Sequence, residues 1–229
     1  MRLGDISAYF ESGNTERSVG TISYNKSDPG GKSYGKYQIA TKTGTLKKYI
    51  AWSIYNAEFQ GVHPASSEFD AIWKRLAEEH PIEFEQDQYN FIKTTHYNPV
   101  ERAAKPLGFD TNNIGIQEAL FSIGVQHGGY KTILREAVVL RAKGQTQVEA
   151  LYNARRSYVN KLALSSQIKS ALQKRYDKEY QIVKTLFEGG VSEVELFLYK
   201  PSQHENLEQP VQHTTETTKE EENQNTAIP

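Results

Sequence analysis

The sequence predicts a mainly α-helical protein with a small β-hairpin beside a cleft. Three observations carry this. Apolar residues recur at helical spacing through most of residues 45–187. One stretch, residues 19–41, breaks that rhythm; it is rich in Gly, Ser, Thr and Tyr and holds the turn series Asp28-Pro29-Gly30-Gly31 between two β-prone runs. From Ser202 onward large apolar residues become rare and no period remains.

The elements follow in chain order. Asp5 is the expected N-cap of a short helix over 5–12, with Ile6, Tyr9 and Phe10 on one face and Gly13-Asn14 as its stop. Residues 19–41 read as an irregular hairpin. Helical patterning resumes at Thr45, where Leu46, Tyr49, Ile50 and Ile54 form a stripe. Phe69, Ile72, Trp73 and Leu76 mark a helix over 67–79, and Pro81 suits the first turn of another over about 82–96. A shorter helix is expected over 99–106. The run GIQEALFSIGVQ, residues 115–126, is nearly all apolar or small and reads as a buried central helix. His127-Gly128-Gly129 ends it, and three more helices follow near 130–142, 146–160 and 166–187. The expected organisation is one helical domain over 1–190, a docking segment or short strand over 191–201, and a disordered acidic tail over 202–229.

Composition narrows the chemistry. The chain has 229 residues, enough for one sizeable core with an appendage. It has no cysteine, which excludes disulfides, thiolate metal sites and a cysteine nucleophile. The histidines at positions 63, 80, 96, 204 and 213 lack metal-ligand spacing, so no metal and no zinc amidase activity are expected. No run of about 18 apolar residues occurs, so no membrane insertion is expected. Residues 131–184 hold 12 basic and 4 acidic side chains, whereas 201–229 hold 1 and 6. A basic helical surface attracts an anionic polymer, either nucleic acid or bacterial cell wall. The missing aromatic-basic motif disfavours nucleic acid.

Glu11 and Asp28 are the candidate catalytic pair. Glycosidic cleavage needs a proton donor that stays protonated near neutral pH, and a carboxyl at the end of a buried helix has its pKa raised by desolvation. Glu11 follows Tyr9 and Phe10 at such an end. Asp28, in a Gly-rich turn, is placed to act as nucleophile, base or electrostatic stabiliser.

Glu11-Ser12, a Gly/Ser-rich hairpin and then Ser33-Tyr34-Gly35-Lys36-Tyr37-Gln38-Ile39 together resemble the lysozyme-like superfamily, in its goose-type lysozyme and soluble lytic transglycosylase branches. Gly35-Lys36-Tyr37-Gln38 occupies the place of that family's Gly-Leu-Met-Gln motif. Ser122 through Gly129 resembles its downstream helix end, with Gln126 and His127 in place of Tyr-Asn. Arg155, Arg156 and Tyr158 resemble a further feature. The likeness spans residues 1–187 and extends to muramidase domains of phage particles and antagonism effectors.

The resemblance implies a lysozyme-like fold and a muramidase that cleaves peptidoglycan between N-acetylmuramic acid and N-acetylglucosamine. Glu11 would donate the proton, aided by Asp28. Ser33, Tyr34, Tyr37, Gln38, Gln126 and His127 would bind substrate, and no cofactor would be needed. Three alternatives stay open: a lytic transglycosylase giving anhydro products, a chitosanase-like enzyme, and a non-enzymatic glycan-binding component of a phage particle or secretion spike. The expected partners are peptidoglycan strands and a virion or secretion-apparatus component meeting the C-terminal tail. Without a secretory signal in the first residues, the expectation is a protein cytoplasmic in its producer that acts in the periplasm or on the wall after release, virion delivery or secretion.

Overall fold

Helix α1 (Asp5–Ser12) opens the fold, its start fixed by the Asp5 carboxylate accepting the Arg2 N–H at 2.6 Å. In the computed structural model of the chain, the described residues are 1–12, 19–24 and 31–198; the side chains of Glu11 and Ser12 are not among them. The expected disordered tail, 202–229, therefore lies outside the described residues. Gly4, just before α1, has φ +94°, and a Cβ there would lie 2.6 Å from the Phe121 ring. This glycine is what lets the chain enter α1 so close to its neighbour.

The broken-period region forms a three-stranded antiparallel sheet rather than a lone hairpin: β1 (Ile22–Ser23), β2 (Ser33–Tyr34) and β3 (Ile39–Ala40), in that order. Ile22 pairs with Tyr34, and Tyr34 with Ile39. A third strand arises because the chain doubles back within four residues after Tyr34. Gly35 (φ +71°) and Gln38 (φ +51°) take the left-handed conformations that this tight reversal requires.

Beside the sheet stand α2 (Thr45–Trp52), α3 (Ser67–Glu79) and α4 (Pro81–Ile92). Ser66 caps α3 by accepting the Phe69 N–H, and Pro81 opens α4 at the position where its missing N–H costs nothing. Their inner faces supply an aromatic cluster centred on Trp73, which no solvent reaches. Tyr34, Phe59, Tyr49 and Phe84 surround it at 4.8–6.2 Å between ring centroids, mostly tilted or edge-on. The Trp73 indole N–H donates to the Val19 carbonyl at 2.9 Å, tying the chain entering the sheet to α3.

A wide π-helical stretch, Lys93–Tyr97, leads from α4 into α5 (Asn98–Ala104). The apolar run then forms α6 (Ile114–Gln126), capped by Asn113, whose side chain accepts from the Gly115 and Ile116 N–H groups. This helix is the core of the larger part of the fold, touched by α1, α5, α8 (Gln147–Lys161) and α9 (Ser166–Phe187). It packs so closely because of its glycines. A Cβ at Gly115 would lie 2.6 Å from the Phe187 nitrogen, and one at Gly124 2.3 Å from the His96 carbonyl oxygen. Helix α7 (Tyr130–Ala142) packs on α8, which starts with a reciprocal Thr146–Glu149 capping box.

Where the sequence allowed a short strand or docking segment, residues 191–198 form helix α10 (Val191–Leu198), seated on α9 and α1 by Val194 and Leu198. The described residues make one compact unit. No helix among the described residues is long and apolar enough to cross a membrane.

Candidate functional site

Three wholly buried ionisable side chains, Glu118, Arg155 and Glu179, stand on α6, α8 and α9. Glu118 of α6 is completely buried, and its Oε1 accepts the Gly4 N–H at 2.7 Å. Among the described residues its Oε2 has no hydrogen-bond partner. Desolvation pushes the carboxyl up to about 8, with Asp5 and Glu179 adding repulsion. Glu118 therefore carries its proton near neutral pH and ties the start of α1 to α6.

The other two lie in a larger network. Arg155 of α8 and Glu179 of α9 are both wholly buried and meet at 2.8 Å. Burial opposes the charge on each. The Arg155 and Arg175 guanidiniums nonetheless pull Glu179 down to about 2, and Glu179 holds Arg155 protonated. Arg155 also donates to Ser122 Oγ at 3.0 Å and to Gln126 Oε1 at 2.9 Å, while its Nε finds no partner among the described residues. Tyr152 donates to Glu179 at 2.8 Å. The Arg175 guanidinium sits 5.6 Å over the Phe10 ring, so the network abuts the last turns of α1, where Glu11 lies.

His127, just past the end of α6, belongs to the same network. Its Nε2 is 2.9 Å from the Tyr176 hydroxyl, which also lies 2.9 Å from Gln126 Oε1. One hydroxyl hydrogen cannot serve both. With Gln126 receiving it, His127 must carry its own proton on Nε2 and donate to Tyr176. Desolvation, then Arg155 and Arg175, lower the imidazole to about 3, so it is neutral.

The sheet side is held by ion pairs. Lys32 reaches Asp70 at 2.5 Å, and Asp70 also accepts the Tyr34 hydroxyl at 2.6 Å. Glu85 takes Arg2 at 2.5 Å and Lys36 at 3.1 Å. Burial works to raise its pKa, but the two cations bring it below the usual carboxylate range. Gln88 donates to the Val19 carbonyl at 3.3 Å and fills the space beside Gly35, where a Cβ would fall 2.0 Å from its Oε1.

The residues singled out in the sequence are thus placed as follows. Gln126 and His127 come together in the Arg155–Glu179 network. Tyr34 is fully buried, its ring 5.2 Å from Phe69 and 5.1 Å from Trp73, so it presents no face to a ligand. Ser33 and Tyr37 are buried too, and Tyr37 accepts from Arg2 at 3.1 Å. Gln38 donates to the Gly35 carbonyl at 2.9 Å within the reversal. Glu11 sits in the last turn of α1 with its side chain outside the described residues, and Asp28 lies outside them altogether. Among the described residues no cluster of three or more His, Asp or Glu is arranged to hold a metal.

The sequence reading missed Glu118 and Glu179. Both had a signal: Glu118 is the one charge in an otherwise apolar helix, and Glu179 stands four residues after Arg175 in a basic stretch. A charge in such a position needs a buried partner.

Residues 3–180 match a family model described as type VI secretion system spike protein VgrG3-like, C-terminal. The type VI secretion system spike protein VgrG3 of Vibrio cholerae serotype O1 is similar, 36% identical over 138 residues, which is 59% of this chain and 13% of that relative. The chain thus spans a small fraction of that relative's length. These matches overturn the assignment to the lysozyme-like superfamily. They also remove support for the glycosidase, lysozyme and phage readings, which rested on that likeness. The pairing of Glu11 with Asp28 that the activity needed is not described by the structure, and a lysozyme-like fold is not established by helices around a small sheet. The chain belongs to the VgrG3-like C-terminal family of type VI secretion spike proteins.

Proposed function

We propose that this chain is a glycan-binding component of a secretion spike, carried out of the producing cell with the spike and meeting the peptidoglycan of a neighbouring cell. The observation that carries the reading is the match of residues 3–180 to the C-terminal part of a spike protein. The charge distribution supports this partner: residues 131–184 carry a balance of +8, which draws polyanions at a distance.

The secretion half of the reading is tested in the producing strain. With an epitope on this chain, the protein should be recovered outside intact cells, and that recovery should vanish when the type VI apparatus is disabled. Recovery that persists without the apparatus contradicts the proposal.

A further inference from the structure

A cleft of about 640 Å³ lies at the opposite end of α7 from His127. It opens where the turn at Lys105–Leu107, the last turn of α7, the first turn of α8 and the end of α9 come together. Leu107, Val138 and Phe187 give it an apolar lining, and Arg141, Gln145 and Gln147 stand beside them.

These three polar side chains have only donors left to offer. The Arg141 guanidinium lies 4.8 Å over the Phe109 ring and donates to the Leu107 carbonyl at 3.2 Å. Those contacts hold its plane without neutralising its charge, and it forms no ion pair among the described residues. Gln147 Oε1 accepts the Asp110 N–H at 2.8 Å, a direction that the backbone donor forces. Gln145 Oε1 accepts from Asn153 Nδ2 at 3.0 Å. That direction is forced as well, because Asn153 Oδ1 already accepts from Arg156 at 3.0 Å. Both glutamines are therefore left with their amide NH2 groups, and no described residue accepts from either.

A ligand that fits this cleft brings a negative charge, further acceptors and an apolar group. The C-terminal residue of a peptide chain carries all three close together: its carboxylate, the carbonyl just before it, and its side chain. A simple fatty acid brings the charge and the apolar chain but no second acceptor for the amides.

We propose that this cleft captures the C-terminal carboxylate of a partner protein whose last residue is aliphatic. The carboxylate meets Arg141, the preceding carbonyl accepts from the glutamine amides, and the aliphatic side chain rests on Leu107, Val138 and Phe187. The partner is thereby anchored at the end of the helical bundle away from His127.

The probe is N-acetyl-leucyl-leucine, titrated into the full chain as the free acid and as its C-terminal amide, with octanoate alongside. Backbone amide chemical shifts report binding. The free acid should give saturable shifts at residues 105–109 and 138–147, and the amide should bind at least about fivefold more weakly. Arg141→Gln should weaken binding of the acid about fivefold or more. Gln147→Glu keeps an acceptor for the Asp110 N–H and places a negative charge in the cleft, so it should do the same. Arg135→Gln, an equal loss of charge at an exposed position earlier in α7, should leave the affinity within about twofold. No saturable shifts with the acid up to about 10 mM would overturn the proposal. Equal binding of acid and amide, equal losses in Arg141→Gln and Arg135→Gln, or octanoate binding as tightly as the peptide would each overturn it too. Folding is read from the same spectra, and Gln147→Glu keeps the test decisive should Arg141→Gln disturb the stack on Phe109.

Discussion

Arg155 and Glu179 form a salt bridge of 2.8 Å in which neither side chain is reached by solvent. Removing one partner leaves an unpaired charge in the core. Glu179→Ala should therefore lower stability by about 3–5 kcal/mol, whereas replacing both residues by methionine should cost much less. Urea denaturation of the two variants checks this. A single variant no worse than the double would mean that water reaches the pair.

Glu118 makes stability fall as pH rises from about 4.5 to 8. Its folded pKa, about 8, lies above the ordinary carboxyl value of 4.5. The folded protein thus holds a proton that the unfolded chain loses between those values. The stabilisation is complete below pH 4.5 and is lost as pH rises toward 8. Glu118→Gln keeps an acceptor for the Gly4 N–H and cannot ionise. Its melting temperature relative to wild type should climb from pH 4.5 to pH 8, and parallel profiles for the two proteins would contradict the assignment.

His127 works in the opposite direction. Its imidazole stays neutral in the fold down to about pH 3, while an unfolded histidine gains a proton near 6.5. Stability from this residue is present above pH 6.5 and is lost as pH falls toward 3. Nitrogen chemical shifts of the ring should show a neutral, Nε2-protonated imidazole at pH 5. A midpoint near 6.5 in the folded protein would show that the network does not enclose it.

Gly124 tests how tightly α6 is packed. Because a Cβ there would lie 2.3 Å from the His96 carbonyl oxygen, Gly124→Ala should destabilise by about 1–3 kcal/mol. Gly128→Ala, where the added carbon meets nothing within 4 Å, should stay within about 0.5 kcal/mol. Equal effects at both positions would argue against close contact between α6 and the π-helical stretch.

Most helices were legible because their apolar stripes are long. Phe69, Ile72, Trp73 and Leu76 specified α3, and Pro81 its successor, without any tertiary information. The sheet was legible only as a turn-rich interruption, since its strands are two residues long and depend on the left-handed Gly35 and Gln38. Residues 191–198 read as a short strand or docking segment, yet they form α10: eight residues are too few to show a clear period, and it is docking on α9 and α1 that decides. At the site, the resemblance implied that Tyr34 and Tyr37 bind substrate, yet both lie in the core. Their hydroxyls contact Asp70 and Arg2, residues distant in sequence whose approach no local pattern announces. Glu179 and Arg155, 24 residues apart on different helices, are hidden for the same reason.

The most direct test is to mix the purified chain with insoluble sacculi, sediment them, and follow the turbidity of the same suspension. The account predicts that the protein pellets with the sacculi, that moderate salt weakens this, and that the suspension does not clear. Protein left in the supernatant at low salt would contradict a glycan-binding role, and a suspension that clears would contradict a role confined to binding.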